Sequence, residues 1–265
     1  MPSDTRFLPW SLFVSELTGT AVLIAVGLSA VIFDFGHGSP MRHVLPDPGL
    51  RRLLTGFLFG STGALIAVSP VGKASGAHIN PSVPLGFWLM GKMRWRHALG
   101  YVVAQLAGAV LGALPLVVWG ALGRSVQFGA TVPGAGYGAG WAVLGETLTT
   151  LALITGLFFF VRHKAIRTFT PLLFPVLYAA MVLLEAPVSG TSTNPARSLG
   201  PAVLSGTWHD WWVYWVGPLL ATLLGVALYR FTWLRKIEIE VAKLYHFEHD
   251  PHGVFRLPSA RQAEP

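Results

Sequence analysis

Six stretches of this chain, near residues 10 to 33, 52 to 71, 97 to 120, 141 to 161, 169 to 187 and 211 to 234, are long and almost unbroken runs of apolar side chains. About 20 such residues in a helix cross the ~30 Å hydrocarbon core of a bilayer. Few folds accept them, because a backbone in lipid must satisfy its own N–H and C=O groups, leaving only helices and closed barrels. The alternating pattern of a membrane barrel is absent. Composition agrees: 52% of residues are hydrophobic and 12% charged, against about a quarter charged in a soluble domain, and mean hydropathy is +0.55. The chain therefore reads as an all-α integral membrane protein with six transmembrane helices. The first run is too long for a cleaved signal, has only Arg6 before it and lacks a small-residue cleavage site.

The net charge of +7 does not point to nucleic acid, because the basic residues stand singly at the ends of apolar runs. Lys92, Arg94 and Arg96 separate runs two and three; Arg162, Lys164 and Arg167 separate four and five; Arg235 and Lys236 follow six. The opposite loops carry Arg42, Arg51, Arg52 and Arg124. The positive-inside rule puts the first set and both termini in the cytoplasm, as in a multi-pass protein of a bacterial inner membrane. Trp10, Trp88, Trp95, Trp208, Trp211 and Trp212 sit near run ends, where amphipathic rings anchor. There is no cysteine, no placed nucleophile and base, and no metal-ligand spacing, so neither enzyme, cofactor nor metal is expected.

Three landmarks recur in the same order: Glu16 in "SELTGTAVL" and Glu146 in "GETLTTLAL"; Asn80 in "HINPSVPLG" and Asn194 in "STNPARSLG"; "QLAGAVLG" and "PLLATLLG". Residues 10–120 and 141–234 are thus two halves of a single membrane domain, 1–265, that ends in a tail, 235–265, expected on the cytoplasmic side. Three spans per half is odd, so the second half enters from the opposite face, giving an inverted repeat. Residues 80–90 and 194–204, about 15 Å each as helix, are half-helices that enter from opposite sides and meet at midplane. Irregular backbone at that depth lines a cavity or is buried in protein. Asn is a strong N-cap and Pro suits the first helical turn. With its oxygen capping, an Asn retains an NH2 donor.

These residues, with "SGAH" before Asn80 and "ARS" after Pro195, resemble the aquaporin family, the major intrinsic proteins, across nearly all of residues 10–235. The resemblance implies a homotetramer with one pore per subunit, conducting water and small neutral solutes such as glycerol or urea while excluding protons and ions. Asn80, Pro81 and Ser82 with Asn194, Pro195 and Ala196 then form the pore centre. A water there accepts from both Asn side chains and turns its hydrogens outward, breaking a proton wire, and the converging positive helix ends oppose cations. Backbone carbonyls of Gly76, Ala77 and His78 and of Gly190, Thr191 and Ser192 are expected acceptors along the route.

The family's outer filter maps onto Gly60, Val182, Thr191 and Arg197, with Phe59 replacing Gly60 if the "SPVGKASGAH" loop is longer than the family's by one residue. Val182 stands where water-selective members carry His, which implies a wider, less polar filter; Ser198, Ala202, Tyr214 and Trp215 resemble the water-channel branch. Ser82 and Pro84 depart from the usual motif, and Pro84 is expected to kink the first half-helix or turn the Asn80 carbonyl toward the pore. Glu16 and Glu146 are expected to accept bonds from half-helix loops; the alternative is an inverted-repeat transporter using them as proton relays, and a third reading is a non-conducting structural protein. His78 is expected to line or fix its loop rather than bind metal, and Gly108 and Gly112 to pack helices closely. The tail mixes charged and apolar residues, which reads as an interfacial helix passing into disorder.

Overall fold

The apolar runs become helices because only intrachain hydrogen bonding satisfies their backbone in lipid. The computed structural model describes residues 8–232 and 239–256. In order, the α-helices are α1 (Trp10–Phe35), α2 (Met41–Val44), α3 (Pro48–Val68), α4 (Pro70–Ser75), α5 (Ser82–Leu89), α6 (Trp95–Ala113), α7 (Gly120–Arg124), α8 (Ala139–Arg162), α9 (Thr170–Ser189), α10 (Pro195–Ser205) and α11 (Val213–Phe231). Five of the expected spans are long and apolar enough to cross a membrane. The sixth, α3, has the length, at 21 residues, but carries Arg51 and Arg52 near its start.

Caps and prolines move the boundaries. Helix α3 begins at Pro48 rather than 52, because the Asp47 carboxylate accepts the Leu50 N–H at 2.7 Å and Pro48 occupies the first turn. It stops at Val68 rather than 71, and Ser69 caps the separate α4. Run three leaves α-helix at Ala113 and continues as 3-10 turns over Leu114–Trp119, where Pro115 has no N–H to donate. Run six starts at Val213; its expected last residues, 233 and 234, lie outside the described residues.

The two halves pack alike. Helix α1 lies along α6 as α8 lies along α11, and α3 packs on α9 between the halves. At Gly108 and Gly112 an added Cβ would stand 2.3 and 2.2 Å from the carbonyl oxygens of Leu17 and Ala21, so the α6 and α1 backbones meet there directly. Apolar side chains such as Val14, Leu65, Leu99, Val176 and Leu184 face outward, and all six of the named tryptophans are exposed. The half-helices α5 and α10 sit inside this ring with their Asn-Pro starts together.

The tail is not the interfacial helix expected from its sequence. Residues 239–256 form no helix; they fold back against the protein and bury Ile239, Val241, Ala242, Leu244, Phe247, Val254 and Phe255. Apolar residues crowded into a segment without helical spacing find a core instead of a membrane surface. Residues 235–238 and 257–265 of the expected tail lie outside the described residues.

Candidate functional site

The two loops that enter the half-helices have one backbone shape. Gly76 and Gly190 have φ of 88° and 87°, Ala77 and Thr191 57° and 52°, Ile79 and Thr193 41° and 53°. Side chains at positive φ are strained, by about 1–3 kcal/mol each. What holds them is a buried glutamate in the neighbouring span. Glu16 accepts from the His78 and Ile79 amides at 2.9 and 2.7 Å and from the Gln105 side chain at 2.7 Å. Glu146 accepts from the Ser192 and Thr193 amides, both at 2.7 Å, and from the Ser189 hydroxyl at 2.6 Å. Hydrogen bonds to a charged group contribute about 1.5–3 kcal/mol each, which offsets the strain. Tyr101 and Tyr214 brace the same places, donating to the Ser75 and Ser189 carbonyls at 2.7 and 2.8 Å.

The Asn side chains cross between the halves. Asn80 Nδ2 donates to the Thr193 carbonyl and Asn194 Nδ2 to the Ile79 carbonyl, both at 2.9 Å. Each side-chain oxygen caps its own half-helix: that of Asn80 accepts from Ser82 N at 3.0 Å, that of Asn194 from Ala196 N and Arg197 N at 3.0 and 3.3 Å. One N–H of each NH2 group is thereby committed, and the second remains for a passing molecule. Both residues line one cavity.

Pro84 neither kinks α5, which runs unbroken from Ser82 to Leu89, nor leaves the Asn80 carbonyl loose. In the second half the Ser198 amide bonds the Asn194 carbonyl at 3.2 Å; in the first, where Pro84 has no amide, Val83 takes the Asn80 carbonyl at 3.0 Å. The missing bond tightens the first turn.

A second cavity, of about 290 Å³, is lined by Val182, Thr191 and Arg197 together with Phe59, Arg52, Thr55 and others. Phe59 rather than Gly60 belongs to this group. Gly60 faces α9, where an added Cβ would stand 2.4 Å from the Phe174 carbonyl oxygen, so it serves close packing and reaches only the Asn-Pro cavity. The Arg197 guanidinium lies 6.0 Å from the Phe59 ring centre and donates to the Gly129 carbonyl at 2.7 Å. Phe59 and Tyr178 line both cavities, their ring centres 5.6 Å apart. They form the waist between them. The Thr191 hydroxyl donates to Glu185 at 2.5 Å.

On the other side, the carbonyl of Gly76 accepts the Leu244 amide at 3.1 Å. The Ser192 carbonyl accepts the Thr193 hydroxyl at 2.7 Å. Those of Ala77, His78, Gly190 and Thr191 accept no hydrogen bond from the described residues. The His78 ring shares a hydrogen with the Ala242 carbonyl at 2.9 Å and stacks on Phe87, fixing its loop. No group of three or more potential metal ligands occurs among the described residues.

The chain matches the major intrinsic protein family over residues 4–229. It is a major intrinsic protein. Relatives of this aquaporin-family chain include "Probable aquaporin PIP2-7" of Oryza sativa subsp. japonica, 34% identical over 83% of this chain and 79% of that one. Aquaporin Z of Photorhabdus laumondii is 29% identical over 84% and 97%. The solved aquaglyceroporin of Plasmodium falciparum shares the fold at TM-score 0.67, with 21% identity over 83% and 95% of the two chains. This major intrinsic protein is therefore a multi-pass integral membrane channel, passive toward water and small solutes; family members are channels, not enzymes. Three residues at the site are not among those that the sequence pattern singles out. Tyr178 stands one helical turn before Val182 on α9, and Glu185 is the lone acid of that run, so both left a signal. Leu244, in a tail of no evident pattern, left none.

Proposed function

We propose that this channel conducts water as its main solute, passes glycerol- or urea-sized neutral molecules more slowly, and excludes protons and ions. The observation that carries the reading is the reciprocal Asn80–Asn194 crossing on the cavity wall. A single water between the two free N–H groups accepts both, and its own hydrogens point away from the centre along the file. The positive ends of α5 and α10, each equivalent to about half a charge, meet there and oppose cations. Arg197 adds a fixed positive charge at the outer cavity, and the Phe59–Tyr178 waist narrows the way. Val182 puts no second donor opposite Arg197, which is the reason to expect neutral solutes at a lower rate.

Glu16 and Glu146 support a brace over a relay, because both oxygens of each are occupied by loop donors. The tail packs on the side of Lys164 and Arg167, the arginine- and lysine-rich side; the positive-inside rule makes that side cytoplasmic, with both termini there, in a bacterial inner membrane. We extend to this chain the homotetramer typical of the family, with a pore in each subunit. Stopped-flow shrinkage of proteoliposomes under sucrose, glycerol and urea gradients tests the selectivity. Water flux well above protein-free vesicles, with glycerol and urea slower, is expected. Asn194→Asp should admit cations or lose flux; an Asn194→Asp channel with normal, proton-tight water flux overturns the mechanism.

A further inference from the structure

The Asn-Pro cavity has a volume of only about 40 Å³, and one of its walls is Leu244 from the tail, beside His78, Ile79 and Asn80. Leu244 is held there by an array of bonds to the loop leading into α5. Its own amide donates to Gly76, the preceding Ala242 carbonyl meets the His78 ring, and the Lys243 Nζ donates to the Lys73 carbonyl at 2.6 Å. Lys243 is buried and makes no ion pair within 4 Å among the described residues; it also donates to the His249 carbonyl at 2.6 Å and lies 4.9 Å from the ring centre of Phe255. His246 meets the Val68 carbonyl at 3.2 Å. A loop of tail closes behind them, with Ala242 N donating to the Phe255 carbonyl at 3.0 Å and Asp250 accepting from the Val254 and Phe255 amides.

We propose that residues 239–256 are an autoinhibitory plug that closes the pore at the α4 side by seating Leu244 in its mouth. This rests on the channel reading above. A leucine side chain offers no donor or acceptor to a file of water, so its presence in the narrow cavity interrupts both space and hydrogen bonding. Its charged ties to the body beyond the α4 loop are ion pairs with half- or well-exposed carboxylates, Glu240 with Lys164 at 2.8 Å and with Arg167 at 3.4 Å, and Glu248 with Arg167 at 3.5 Å. Such pairs hold weakly and yield to salt. The Ser11–His252 hydrogen bond at 3.2 Å, the Arg167 guanidinium 4.6 Å from the Phe247 ring centre and the buried apolar side chains of the tail hold it as well, so the docked form predominates. The outer cavity, by contrast, is several times larger.

Three forms of the full-length protein and one deletion, reconstituted at equal density, test the plug. Removing residues 239–265 and, separately, Leu244→Ala should each raise water permeability per channel, about tenfold if the docked form holds about nine-tenths of the population. Because the chain has no cysteine, Lys164→Cys/Glu240→Cys can be joined by a bismaleimide, and cross-linking should lower permeability below that of the same variant unlinked. If deletion, Leu244→Ala and cross-linking all leave permeability equal and well above protein-free vesicles, the plug is overturned and the channel stands. If every form matches protein-free vesicles, the channel reading fails and the plug with it.

Discussion

The two re-entrant loops are alike in backbone and unlike in what covers them. Gly76–Asn80 and Gly190–Asn194 share their pattern of positive φ, their glutamate and their tyrosine brace. The second is covered by the connection between halves, where Gly134 N donates to Val188 at 2.9 Å, Gly129 takes Arg197, and Thr131 and Ser198 share a hydrogen at 2.6 Å. The first is covered by the tail. A fold can thus duplicate a pore centre while leaving each mouth to be finished by whatever chain passes over it.

The largest test of this comparison is its shared part. Replacing Glu16 or Glu146 by Ala leaves two buried loop amides unbonded and should cost about 2–6 kcal/mol in each half. Thermal unfolding in detergent should show both variants strongly and similarly destabilised; a large drop for one alone would break the equivalence of the two loops. Next is the waist: Phe59→Ala should raise glycerol permeability several-fold, roughly tenfold for about 1.4 kcal/mol of barrier, while Gly60→Ala should chiefly impair folding by driving α3 off α9. Equal glycerol flux in Phe59→Ala and the unaltered protein would return the first filter position to Gly60.

A smaller effect concerns Lys243, whose ammonium is pushed down to about 8 by burial in the docked tail, from an ordinary 10.5. Asp250 favours its charge, and Lys73 and Arg256 oppose it. Docking therefore favours the neutral amine, and the undocked tail binds more protons between those values, so docking strengthens as pH rises from about 8. Water flux should fall across that window and lose this dependence in Lys243→Met. Smallest is Pro84→Thr, which restores the amide that Ser198 supplies in the other half. It should lengthen the first turn of α5 toward α-geometry and change water flux less than about twofold, since one neutral hydrogen bond contributes only about 1 kcal/mol.

The fold was legible because its main constraints are local or periodic. Apolar length named the spans, three spans per half required inversion, and Asn-Pro marked the half-helix starts. Boundaries moved where a cap or proline acted within a few residues, as at Asp47, Ser69 and Pro115. The site was legible in its chemistry and less so in its facing. Phe59 and Gly60 are neighbours on α3, and counting along the chain cannot say which points inward; close packing of Gly60 on Phe174 decided it.

The sequence by itself therefore determined that this protein spans the membrane six times, in two inverted halves, with two Asn-Pro segments and their glutamates at the middle. Apolar run length, charge placement and repetition are properties of the chain read in order. Tertiary structure alone decided that each Asn donates across the repeat, that Phe59 and Tyr178 make the waist, that Gly76 spends its carbonyl on Leu244, and that the tail turns back. Each of these joins residues far apart in the chain, and a contact of that kind is set by which surfaces remain to be buried after the helices have packed.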